Sequence, residues 1–162
     1  MKTNKQPIEA ALGELLRERH LTMGTAESCT GGRIASMMTS VAGSSDYFVG
    51  GVVSYCNRVK HAVLGVSEAD LGAYGAVSRP VVEQMAAGAR RVLGCDCAVA
   101  TSGVAGPGGG STEKPVGTVW IAAAYGEKQI AICHHFGDNP RRENIRLAAE
   151  TALAMLYQLI NE

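Results

Sequence analysis

Ile8, Ala11, Leu12, Leu15 and Leu16 recur at three- and four-residue spacing, which predicts an amphipathic helix from about Pro7 to Arg19. Leu21 to Ala26 reads as a short strand. A second helix is predicted to begin near Thr30 or Gly31 and to carry Ile34, Met37 and Met38. The stretch VAGSSDYF leads into FVGGVVSY, whose valines and aromatics read as a second strand. Asn57 is placed to cap a short helix holding Lys60 and Leu64. Ser78 precedes a longer helix that runs to about Leu93, with Pro80 in the first turn, where a missing N–H costs little. CAVATSG reads as a third strand, and a glycine-rich loop spans Gly103 to Gly110. GTVWIAAAY and QIAICHHF, separated by Gly126-Glu127-Lys128, predict a hairpin. Ile145, Ala149, Ala152, Leu156 and Leu159 then mark one face of a closing helix from about Arg141 to Ile160.

Helices and strands alternate early, and an antiparallel pair comes late. That order predicts an α/β fold, a three-layer α/β/α sandwich with a mixed sheet. No composition break or internal repeat divides residues 1–162, so a single domain is expected. The chain is 46% hydrophobic and 19% charged, as suits a compact enzyme or binding domain. Its 15 basic and 15 acidic side chains balance, so neither nucleic acid nor a membrane surface is expected as a partner. A local basic pocket for one phosphate stays open. The five cysteines are odd in number, and no secretory pattern opens the chain. Cys95-Asp96-Cys97 lacks the spacing of a zinc ribbon or a redox pair, and Cys133-His134-His135 lies in a predicted strand. A reduced, cytosolic protein without metal or cofactor is expected. A homodimer is expected on general grounds.

In α/β sheets, ligands gather at the carboxyl ends of strands, against helix N-termini. Three loops are predicted at such ends: Glu27 to Gly32, Tyr55 to Lys60, and Ser102 to Gly110. In the first, Ser28 would leave the strand edge as a nucleophile, and the N–H groups around Cys29 to Gly32 would hold a phosphate or a developing oxyanion. Ser28 or Thr30 acting only as a helix cap is the plainer alternative. Cys29 is a rival nucleophile, with no histidine near it in sequence. Lys60, if desolvated, would serve a serine as base; an exposed lysine is the alternative. The Tyr55 hydroxyl would point into the same pocket or sit at the core rim. The third loop fits neither the Walker nor the dinucleotide fingerprint, yet it remains a backbone cradle for an anionic or flat ligand. Lys114 is either a surface charge or a ligand contact. Arg142 and Arg146, four apart on the last helix, form a phosphate clamp if they face the pocket and a solvated face if they do not.

These segments together resemble the CinA C-terminal domain family. The resemblance rests on TAESCTGG (25–32), GSS..F..GGVVSY.N..K (43–60), LGV (64–66), GAVS (75–78), SGVAGPGGG (102–110), KPVGTVW (114–120) and R..IR (142–146), and it covers nearly the whole chain. It implies hydrolysis of nicotinamide mononucleotide to nicotinic acid mononucleotide and ammonia, a salvage step, without metal. It implies Ser28 as nucleophile with Lys60 and Tyr55 assisting. Glu27, Ser102 and an arginine of the last helix, Arg142 or its neighbour Arg141, would bind and orient the substrate. Thr30, Gly31, Gly32, Gly103, Gly106 and Gly108 complete the expected binding set, with Arg146 beside Arg142. Ser102 stands where the family commonly has threonine. The chain reads as the family's short form, without a larger N-terminal domain. Two other readings are a catalytically weak nucleotide-binding module working through a partner in competence or DNA-damage responses, and a Ser–Lys amidase for another nucleotide amide.

Overall fold

A computed structural model describes residues 5–162. The sheet has five strands, β1 (Met23–Glu27), β2 (Phe48–Val53), β3 (Cys97–Gly103), β4 (Thr118–Tyr125) and β5 (Lys128–His135), in the order β2-β1-β3-β4-β5. β1 pairs in parallel with both β2 and β3, while β4 and β5 continue the sheet antiparallel. The sheet is therefore mixed, as the pattern predicts. Tyr125 pairs with Lys128, so Gly126 and Glu127 alone make the hairpin turn.

Among the described residues, six α-helices cover the two faces. α1 (Ile8–Arg19), α2 (Arg33–Thr39) and α6 (Arg141–Asn161) share one core with Val99, Ile121 and Ala123 of the sheet. The other face packs Ala26, Ala98, Ala100 and Ala122 under α5 (Arg79–Leu93). These small residues let α5 lie close to the strands. The short α3 (Asn57–Ala62) and α4 (Glu68–Tyr74) flank α5. α4 escapes the apolar-periodicity reading because none of its residues is buried; it is marked instead by Ser67, whose hydroxyl accepts from the Asp70 amide at its start. A Cβ at Gly88 would collide with the Leu64 carbonyl, so this glycine lets α5 press on the backbone just after α3.

α5 begins directly after Ser78 and ends at Leu93, as the sequence reading has it, and the Ser78 hydroxyl donates back to the Gly75 carbonyl. Other boundaries differ. Leu64 lies beyond the end of α3, and Cys56 occupies its N-cap position. β1 starts two residues later than expected and runs through Glu27. No helix among the described residues is long and apolar enough to cross a membrane.

The connectivity decides where chemistry can sit. From β1 the chain moves to β2 on one side, then crosses to β3 on the other. The carboxyl end of β1 is thus a switch point, where neighbouring loops diverge and leave a crevice. β5 runs in the same direction as β3, so the start of α6 arrives at the same edge.

Candidate active site

Alternation along β1 separates two kinds of residue at this edge. Glu27 is buried and turns toward α2. One of its carboxylate oxygens accepts from Thr30 Oγ1 at 2.7 Å and from the Ile34 amide at 2.9 Å. The other accepts from the Ala35 amide at 3.0 Å. The carboxylate therefore satisfies orphan donors of the first helical turn and faces its positive end. Thr30 Oγ1, its proton given to Glu27, meets Thr101 Oγ1 of β3 at 2.8 Å. The network ties β1, β3 and α2 into one rigid corner. Gly31 and Gly32 have φ of +57° and +101°, so the chain passes through left-handed backbone before α2 begins at Arg33. The helix opens later than the Thr30 or Gly31 of the sequence reading for this reason.

Ser28 follows on the opposite side, the one Ala26 shares with α5. Lys60 of α3 places Nζ 3.0 Å from Ser28 Oγ and 2.8 Å from the Ser54 carbonyl, to which it donates. Lys60 is only 1% exposed and Ser28 9%. No carboxylate pairs with this lysine among the described residues. Burial holds its pKa below the ordinary lysine value, and the nearby Cys56 and Cys29 thiols only partly oppose that shift. Lys60 donates to both the Ser28 hydroxyl and the Ser54 carbonyl, and losing its proton would free the nitrogen to accept from the Ser28 hydroxyl in turn. Cys29 has the reverse problem. Burial pushes its thiol up to about 12, so it stays protonated and a poor nucleophile.

Tyr55 is 61% exposed. Its hydroxyl accepts from Arg141 at 3.1 Å, and the other Arg141 terminal nitrogen donates to the Gly106 carbonyl at 2.8 Å. Cys29, Tyr55, Val104, Ala105 and Arg141, with Gly103, Gly108 and Gly109, enclose a cavity of about 330 Å³. This cavity borders Cys29, the residue after Ser28, while larger depressions of about 850 and 810 Å³ lie elsewhere on the molecule.

Residues 5–160 match the family described as CinA C-terminal domain. The chain belongs to that family. Among curated relatives, it is 50% identical over 151 residues to a CinA-like protein of Microcystis aeruginosa, covering 92% of this chain and 36% of the relative. It is 46% identical over 160 residues to one of Syntrophobacter fumaroxidans, covering 98% of this chain and 37% of the relative. The chain thus spans little more than a third of the length of those relatives. Two solved structures share the fold. A competence/damage inducible protein, CihA, from Agrobacterium tumefaciens is 40% identical, with a TM-score of 0.90 and full coverage of both chains. A competence-damaged protein (CinA) superfamily protein from Escherichia coli is 34% identical at TM-score 0.91, over 98% of this chain and 92% of its own.

Within this CinA C-terminal fold, the residues singled out in sequence fall into three groups. Ser28 and Lys60 are in contact, and Tyr55 lines the cavity beside Cys29 without bonding to either. Gly103 and Gly108 line that cavity, while Gly106 offers its carbonyl to Arg141. Ser102, buried and paired with Trp120, shares the α5 face with Ala100. Glu27 and Thr30 point their polar atoms into the α2 corner, as described above. The clamp expected of Arg142 and Arg146 is not assembled. Arg146 is held by Glu143 and Glu150, and Arg142 is exposed. Each helical step turns the side chain by about 100°, so of the adjacent arginines only Arg141 meets the cavity. Lys114 spans from the glycine-rich loop to the Tyr74 carbonyl at 2.8 Å, anchoring that loop to the end of α4. No sequence motif singles out Asn144 or the Ser54 carbonyl. Asn144 carries one readable signal: it precedes Ala148 and Ala152 at four-residue steps, a polar residue on an apolar stripe.

Proposed function

We propose that this domain is a serine amidase that hydrolyses the carboxamide of nicotinamide mononucleotide. One observation carries the reading: a buried, carboxylate-free lysine within 3.0 Å of a serine at the switch point of the sheet. A purely structural role would waste a desolvated lysine there, because burying it is costly without a counter-ion. Family membership, together with the motifs of the three loops, supports the choice of substrate.

The contact between Lys60 and Ser28 supports one order of steps. Ser28 Oγ attacks the carboxamide carbon while Lys60 Nζ takes its proton directly. Tyr55 is engaged by Arg141, which favours this direct route over a relay through the tyrosine. The tetrahedral oxyanion finds donors in the amides of Cys29 and Thr30, which make no main-chain hydrogen bond. One such donor is worth about 3–4 kcal/mol of barrier. The Lys60 ammonium then protonates the departing nitrogen, and ammonia leaves behind a Ser28 ester. Water, deprotonated by Lys60, attacks that ester, and the collapse returns the proton to Ser28 and releases the carboxylate. Arg141 supplies the cation nearest the cavity and would hold the 5′-phosphate.

The decisive experiment is ammonia release by purified protein from the mononucleotide, the riboside and free nicotinamide. Release from the mononucleotide alone is expected. Equal release from the riboside would remove the phosphate contact, and release from none would remove the enzyme. The second reading, a nucleotide-binding module working through a partner, draws on the competence and damage names of the relatives. It predicts binding without turnover.

A further inference from the structure

We propose that Asn144 is a positioning residue that holds the glycine-rich wall of the cavity that opens beside Ser28 and Cys29. This rests on the amidase reading given above. Asn144 lies in the first turn of α6 and is 1% exposed. Its Nδ2 donates to the Ala105 carbonyl and to the Gly137 carbonyl, both at 3.1 Å. Its Oδ1 accepts from Asn139 Nδ2 at 3.1 Å, and that nitrogen also donates to the Phe136 carbonyl at 2.8 Å. One amide thereby joins the loop leaving β3, the bend leaving β5 and the start of α6.

The Ser28–Lys60 pair and the cavity wall are built differently. Ser28 directly follows β1 and Lys60 sits on α3, and both are buried. The wall, Val104 to Gly109, has left the sheet, and its glycines supply little side-chain packing of their own. Its consecutive Ala105 and Gly106 carbonyls are instead taken by Asn144 and by Arg141, three residues apart on α6. Ala105 lines the cavity itself. Arg141 is exposed and also serves Tyr55, which leaves Asn144 as the buried anchor of this wall. Only a side chain with two N–H donors and one acceptor meets all three partners, so aspartate is a poor substitute despite its identical shape.

The test compares Asn144→Asp and Asn144→Leu with wild type in steady-state kinetics and in hydrogen exchange of residues 105–110. Misplacing the wall should raise KM and lower kcat/KM by about ten- to a hundredfold. The pH limb set by Lys60 should stay in place, and exchange should quicken in 105–110 but not in β1 or α3. If these variants fail to fold, Asn139→Ala removes the bond that orients Asn144, together with the one to the Phe136 carbonyl, and should give the same changes in smaller measure. A merely structural role would lower Tm and the active fraction with KM unchanged, which would overturn the proposal. Unchanged exchange in 105–110 would overturn it as well. Wild-type protein inactive on the mononucleotide would remove the amidase reading by itself. Loop exchange and calorimetric affinity for the mononucleotide, in place of KM, would then decide the role of Asn144.

Discussion

The Ser28–Lys60 pair and the Tyr55–Arg141 pair differ in nearly every physical respect. Lys60 is 1% exposed and Ser28 9%, whereas Tyr55 is 61% exposed and its partner Arg141 is also open to solvent. Desolvation of the buried pair depresses the lysine pKa. The exposed pair interacts through charge-assisted hydrogen bonds in water, where each is worth less. In the proposed amidase, chemistry belongs to the buried pair and recognition to the exposed one. The Glu27 carboxylate is committed to the backbone of α2.

Substitutions sharpen that contrast in a graded order. Ser28→Ala should lower turnover by more than about 10⁴-fold, measured as ammonia release, with the fold intact by circular dichroism. Lys60→Met should be nearly as damaging to turnover yet should raise stability by about 1 kcal/mol, because it removes a buried polar group that serves function. The same lysine sets the pH behaviour. Its folded pKa lies below its unfolded one, so between the two values the unfolded chain holds a proton that the folded protein has released. Stability from this group accordingly rises with pH across that window and is lower beneath it. kcat/KM should climb through the lowered pKa as the amine becomes neutral, and denaturant melts of wild type against Lys60→Met should show the matching difference in slope. Arg141→Ala should cost about ten- to a hundredfold, mainly in KM for the phosphorylated substrate and little for the riboside. Cys29→Ala should change kcat by only about two- to threefold, since its protonated thiol lines the cavity and takes no part in the bond changes. A large loss there would move chemistry onto the thiol and break the contrast.

Much of this arrangement was legible in the sequence, for identifiable reasons. Strand and helix periodicities are local properties, and they placed all five strands and five of the six helices. Ser28, Lys60 and Tyr55 each follow or end a predicted strand, so topology alone drew their loops toward one edge. α4 was missed because it packs no continuous apolar face. The late start of α2 depends on left-handed backbone at Gly31 and Gly32, which composition permits but does not require. The arginine question turned on rotation about a helix axis. A one-residue difference separates Arg141, which reaches Tyr55, from Arg142, which does not, and no spacing rule fixes that angle before the helix is docked. The Glu27–Thr30–Thr101 network and the Asn144 clip are tertiary. Their partners lie on separate elements, and polar residues in a helix turn read as surface until the packing is seen.

The central claim is a covalent step at Ser28 with Lys60 as its base. Rapid acid quench during turnover of nicotinamide mononucleotide, followed by peptide mapping, tests it most directly. The expected result is an ester of the nucleotide's acyl group on Ser28 in wild type and no adduct in Lys60→Met. An adduct on Cys29, or turnover that persists in Ser28→Ala without any adduct, would contradict it.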